Sequence, residues 1–153
     1  EWDVLLFFAG LFVMVGGLEA AGVLEQVAAV LLKLEGTSPL LLGLIVMWSM
    51  VVLSALIDNI PVTIAVIPIV LSLGEQGVSI QPIWWAIALG AGLGGNATPI
   101  GSTANVIVIA ISERTQRPIT DRAWLAVGLP AVLVSTAFAS VLYVILFDFL
   151  SMR

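Results

Sequence analysis

The sequence contains no cysteine and no histidine. Disulfide frameworks, thiolate metal centres and histidine-based acid–base catalysis are therefore excluded. Charge is the next shortage. Only 10% of the 153 residues are Asp, Glu, Lys or Arg, against about 25% in soluble domains. Too few charges remain to cover a water-facing surface, while 61% of the residues are hydrophobic. The composition is that of an all-α integral membrane protein. A net charge of −5 argues against a nucleic-acid partner. Glu1 and Asp3 precede the first apolar run where a secretory leader would carry Lys or Arg. With no initial Met, the start reads as a piece of a longer protein.

The apolar runs set the expected elements. Val4 to Leu18 is uncharged over 15 residues and predicts a helix over 4–18, short of the roughly 20 residues of a full crossing. The stretch 20–34 carries Glu25 and Lys33 and reads as an amphipathic helix on the membrane surface. Ser38 to Ile57 is 20 uncharged residues, and Ile60 to Gly74 a further 15. Pro68 interrupts the second run, so 38–74 reads as a re-entrant helical hairpin with its tip at 58–61. Such irregular backbone survives at membrane depth only where protein or a water-filled cavity covers it. Trp84 and Trp85 mark an interface. The last helix is expected over 123–149, kinked at Gly128 and Pro130.

Gln76 to Ser112 has no charge over 37 residues. One straight helix of that length would measure about 55 Å, nearly twice the hydrocarbon thickness. The run must break, and Gly94, Gly95, Pro99 and Gly101 locate the break at 94–105 within a broken helix over 83–111. Close packing alone accounts for Gly90 and Gly94. It does not account for Asn96, Thr98, Ser102, Thr103 and Asn105 gathered beside Pro99. A helix that stops presents carbonyls suited to a cation, and one that starts presents N–H groups suited to an anion or polar substrate. Discontinuous helices of this kind form the substrate and ion sites of secondary transporters. Gly90-x-Gly92-x-x-Gly95 also fits a dinucleotide fingerprint, but no βαβ pattern surrounds it.

Asp58 is the other chemical signal. An ionised carboxylate at membrane depth costs about 2.5–3.5 kcal/mol even on translocon scales. The residue reads both as a helix cap at the hairpin tip and as a cation ligand or titrating group, and the two roles are compatible. Asp58, Asn59, Asn96 and Asn105 are the candidate Na⁺ ligands, with Thr63, Thr98, Ser102 and Thr103 completing an ion and substrate site. Asp148, Glu19, Glu25 and Glu75 read as solvated interfacial carboxylates. The loop 112–122 holds Arg114, Arg117 and Arg122, three of the five Lys and Arg residues, and is expected on the cytoplasmic side.

Two stretches, "LSALIDNIPVTIAVIPI" and "GGNATPIGSTANVIVIAISE", resemble the carboxy-terminal half of the ion-transporter superfamily. The arsenite-permease and P-protein branches are nearest, and the citrate and dicarboxylate transporters stand further off. The resemblance covers nearly the whole chain, residues 1–153 forming a single transmembrane repeat unit. The dicarboxylate carriers have Ser-Asn-Thr at the tip, where this chain has Asp58-Asn59-Ile60. It implies half of an inverted-repeat secondary transporter, with a hairpin and a broken transmembrane helix meeting at the substrate. It further implies coupling to Na⁺ or H⁺ with no other cofactor and no enzymatic activity. The expected partners are an amino-terminal inverted repeat, membrane lipid and a second copy in a homodimer, in a plasma (inner) membrane. A channel-like pore, or a non-transporting half that assembles with a partner chain, is the alternative.

Overall fold

The computed structural model describes residues 38–75 and 77–151, with isolated positions between 6 and 22. The helices expected over 4–18 and 20–34 lie, those positions apart, outside the described residues. All regular structure among the described residues is helical: α1 (Pro39–Leu56), α2 (Asn59–Glu75), α3 (Gln81–Gly94), α4 (Thr103–Ser112), α5 (Asp121–Ile145) and α6 (Phe147–Ser151).

Local chemistry sets these boundaries. Ser38 Oγ accepts the Leu41 N–H at 3.3 Å, and Pro39 occupies the first turn, so α1 starts there. Ile57 is extended and ends it. Asp58 then starts α2: its Oδ1 accepts the Ile60 N–H at 3.0 Å and its carbonyl the Val62 N–H at 3.3 Å. The turn between the helices is thus Ile57 and Asp58, and Asn59, Ile60 and Pro61 are already helical. Pro61 fits because first-turn N–H groups have no intrahelical acceptor. Pro68 does not interrupt α2. It deprives the Ile64 carbonyl of its usual donor, and the helix absorbs that loss. Beyond Glu75, Gly77 takes a left-handed φ of 88°. Its N–H reaches the Gly74 carbonyl at 3.0 Å while the Val78 N–H reaches that of Leu73 at 3.1 Å, closing the helix end.

α1 and α3 run parallel and touch backbone to backbone. A Cβ on Gly90 would strike the Met47 carbonyl, and one on Gly94 the Val51 carbonyl. Gly92 lies between them in sequence and faces open space. Lipid tails are as apolar as Leu, so helix association in a bilayer rests on such close packing and on interhelical hydrogen bonds. α5 crosses back antiparallel to both. Its far end is pinned by Tyr143, whose Oη donates to the Pro82 carbonyl at 3.0 Å and packs where Gly43 has no side chain. About one turn earlier on α5, Trp48 Nε1 donates to Ser140 Oγ at 3.1 Å. Met47, Met50, Leu73, Ile83 and Ala86 fill the core between α1, α2 and α3.

α5 remains one helix through Gly128 and Pro130. Gly128 makes a close contact: a Cβ there would lie 2.8 Å from the Asn96 carbonyl and 3.0 Å from that of Ala97. α1 and α5 are long and apolar enough to cross a membrane, and α2 and α4 are shorter apolar helices. Val127, Val134, Phe138 and Ile145 stand largely exposed on α5. A soluble monomer rarely leaves so much apolar surface bare.

Candidate functional site

The break expected at 94–105 occupies residues 95–102. Gly94 closes α3, and Thr103, Ala104 and Asn105 already belong to α4. Ser102 makes the difference. Its extended backbone and its Oγ, which accepts the Ala104 N–H at 3.4 Å, cap α4 so that the helix starts three residues earlier.

Asp58 and Thr103 meet across 45 positions of sequence. Asp58 Oδ2 accepts both the backbone N–H and the Oγ1 hydroxyl of Thr103, each at 2.6 Å. With Oδ1 on the Ile60 N–H, one half-buried carboxylate serves the first turns of two helices, α2 and α4. Each helix N-terminus carries roughly half a positive charge. Two of them together approach one unit, enough to offset the carboxylate. No Lys or Arg occurs between Lys33 and Arg114 to do so instead.

A second cluster ties the break to itself. Asn105 is buried, and its Nδ2 donates to the Gly95 carbonyl at 2.8 Å and the Thr98 carbonyl at 3.0 Å. Gly95 and Gly101 face each other at the neck of the loop. A Cβ on Gly101 would stand 2.6 Å from the Gly95 carbonyl, so neither position admits a side chain without movement. Thr98 Oγ1 donates to the Ala55 carbonyl at 2.6 Å, and Ser54 Oγ to that of Ala91 at 2.8 Å. The first binds the end of α1 to the break, and the second binds it to the last turn of α3.

Asn96 turns the other way. Its Nδ2 donates to the Gly92 carbonyl at 3.1 Å, and its own carbonyl accepts Trp124 Nε1 of α5 at 3.1 Å. The carbonyls that a stopped helix leaves unpaired are here partnered one by one. Gly92 takes the Asn96 side chain, Leu93 the Asn96 N–H, Gly94 the Ala97 N–H, and Gly95 takes Asn105, while Ala91 takes Ser54 in addition to the Gly95 N–H. Thr63 Oγ1 donates to the Asn59 carbonyl at 2.7 Å within α2. Among the described residues no hydrogen bond joins Asp58 to Asn59, Asn96 or Asn105, and no group of three acidic side chains forms a metal cluster. Pro99 lies on the loop's outer side beside Ile100, Val106 and Asp121.

Sequence reasoning missed Ser54, Trp124 and Gly128 as parts of this region. Ser54 carried a usable signal, being a hydroxyl four residues before Asp58 in an apolar run. Gly128 carried none, because its contact depends on how α5 docks.

A helical bundle with an apolar exterior, and polar side chains gathered where one helix stops and another starts, belongs to the membrane proteins. Comparison with known proteins narrows the class to transporters. Residues 1–90 match the citrate transporter family model, more than half of the chain, and the chain belongs to that family. The match includes the hairpin and ends at Gly90, ahead of the break. An uncharacterized transporter of Mycobacterium tuberculosis is 39% identical over 145 residues, covering 92% of this chain and 34% of the relative. An uncharacterized transporter of Synechocystis is 30% identical over 157 residues, covering 92% and 35%. The P protein of Homo sapiens is 38% identical over 143 residues, covering 88% and 17%. The chain thus spans about a third of the length of the bacterial relatives. No solved structure matches it.

Proposed function

We propose that this chain is half of a secondary active transporter that moves a small ion or solute by alternating access, coupled to Na⁺ or H⁺. The observation that carries the reading is the Asp58 carboxylate, which joins the α1–α2 hairpin to α4 across the break. With Thr98 on Ala55 and Ser54 on Ala91, the hairpin and the broken helix are tied at three points. A unit tied in this way moves as one body past a scaffold supplied by the rest of the parent protein. Asp58 takes the coupling cation, with Asn59, Asn96 and Asn105 as further Na⁺ ligands once an amino-terminal inverted repeat completes the site. The hairpin is re-entrant, α3 and α4 form one broken transmembrane helix, and the loop 112–122 faces the cytoplasm of a plasma (inner) membrane. The assembled protein is a homodimer surrounded by lipid.

The test is ion-gradient-driven flux by the full-length protein in proteoliposomes. Asp58→Asn retains an α2 cap, since Asn caps as well as Asp, but removes the charge. Coupled uptake should fall to the level of empty liposomes. Undiminished coupled uptake by this variant would remove Asp58 from the mechanism.

A further inference from the structure

Arg114, Arg117 and Arg122 stand near one another at one end of the bundle, between α4 and α5. All are exposed, and their side chains form no ion pair and no hydrogen bond among the described residues. The loop that carries them is closed. Ser112 Oγ accepts the Ile119 N–H at 3.0 Å, Thr115 Oγ1 donates to the Ser112 carbonyl at 2.7 Å, and the Arg117 N–H reaches Thr115 Oγ1 at 3.3 Å. The neighbouring carboxylates do not neutralise the arginines. Glu113 and Asp121 line a cavity of about 230 Å³ beside Pro99 and Ile100, to which no arginine contributes. We propose that this loop binds an anionic phospholipid, its guanidinium groups holding the headgroup phosphate and the exposed flank of α4 holding an acyl chain. The inference needs the membrane class alone and stands apart from the transport reading.

Depth and alignment favour a lipid over a free anion. α5 begins at Asp121 and runs 25 residues, about 37 Å at the helical rise. That exceeds the roughly 30 Å hydrocarbon core, so the loop at its start lies at the level of the lipid phosphates. A guanidinium fork matches a phosphate and binds it through two parallel hydrogen bonds. Ile107 and Ile111 are largely exposed and, four residues apart on α4, share one face. The Arg114 N–H reaches the Ile111 carbonyl at 3.2 Å, and a turn closed in this way sets residue i+3 over residue i. Arg114 therefore continues the line of the two isoleucines. An acyl chain laid along them ends at a positive charge. Asn105 and Ser112 are the buried residues of α4, so the described residues leave that flank open.

The test is native mass spectrometry of the full-length protein in neutral detergent, counting bound lipid as phosphatidylglycerol or phosphatidylcholine is titrated in. Wild-type protein should half-saturate with phosphatidylglycerol at a lower concentration than with phosphatidylcholine. Arg114→Gln, Arg117→Gln and Arg122→Gln should each raise the phosphatidylglycerol value about fivefold, and the triple variant roughly a hundredfold, as expected for charges near an anionic surface. These side chains are exposed and unpaired, so the variants should keep the wild-type melting temperature in neutral detergent. The single variants keep the test open should the triple variant fail to fold. Equal retention of the two lipids by wild-type protein overturns the site, as does a phosphatidylglycerol titration that the substitutions leave unaltered. Displacement of phosphatidylglycerol by inorganic phosphate at equal concentration would make this a free-anion site and overturn the lipid assignment.

Discussion

Asn105 offers the sharpest test of how the break is held. Its amide nitrogen donates to the Gly95 and Thr98 carbonyls at 2.8 and 3.0 Å from a buried position. The two acceptors are not equally dependent on it. The Thr98 carbonyl also receives the Gly101 N–H at 3.3 Å, whereas the Gly95 carbonyl has Asn105 as its donor. Asn105→Ala therefore removes two hydrogen bonds and leaves one carbonyl orphaned. At about 1 kcal/mol net for the Thr98 bond and about 1–3 kcal/mol for the orphaned Gly95 acceptor, the loss is about 2–4 kcal/mol. Asn105→Asp is the discriminating partner. It preserves the shape but replaces the donor nitrogen with an oxygen facing two carbonyls, so it should be no more stable than the alanine variant. Thermal unfolding of the full-length protein, followed by tryptophan fluorescence, measures both. Trp124, bonded to the Asn96 carbonyl at 3.1 Å, lies at the loop and reports on it directly. Wild-type stability in Asn105→Asp would refute the argument, because donation is the property that Asp lacks.

Three further variants probe the surroundings. Gly94→Ala forces a Cβ to within 2.7 Å of the Val51 Cα and should destabilise by about 1–3 kcal/mol as an overpacked contact. Gly92→Ala meets nothing within 4 Å and should leave the melting temperature unchanged or raised through helix propensity, so equal behaviour of the pair would count against the α1–α3 contact. Trp124→Phe loses the bond to Asn96 and should cost about 0.6 kcal/mol, a typical interhelical value. A protease-protection assay of the loop after Asn96 should show faster cleavage, and an unaltered rate would show that α5 does not steady it.

Part of this arrangement was legible in the sequence. The all-helical membrane class followed from composition, and the family followed from two motifs. Length arithmetic required an interruption in the 37-residue uncharged run, and glycine and proline density placed it. What the sequence did not reveal is which groups satisfy which. The stopped helix was expected to offer free carbonyls, yet Ser54, Asn96 and Asn105 supply their donors from three different elements. Helix capping is short-ranged and leaves a local trace, as at Ser38-Pro39. A hydroxyl such as Ser54 in an apolar run is visible, but its acceptor 37 residues away, the Ala91 carbonyl, is not. The same limit explains Pro68. A proline is a local signal for a break, but whether the helix continues depends on the packing of α2 through Ile69, Val70 and Leu73.

The placement of Asp58 also has a mechanical consequence. α2 and α4 both begin at its carboxylate, and their lengths of 17 and 10 residues make them arms of about 25 and about 15 Å. α1 and α3 are riveted together at Gly90–Met47 and Gly94–Val51, α5 is riveted to α1 at Gly43–Tyr143, and α2 is packed into the same frame through Val62, Ile69, Val70 and Leu73. Of the two helices that begin at the carboxylate, α4, with Asn105 and Ser112 as its buried residues, is the lever. Rotation of α4 by about 10° at that pivot carries its end nearly 3 Å, as estimated from the helical rise. An ångström-scale event at one oxygen atom is thereby delivered as a larger displacement at a distant surface.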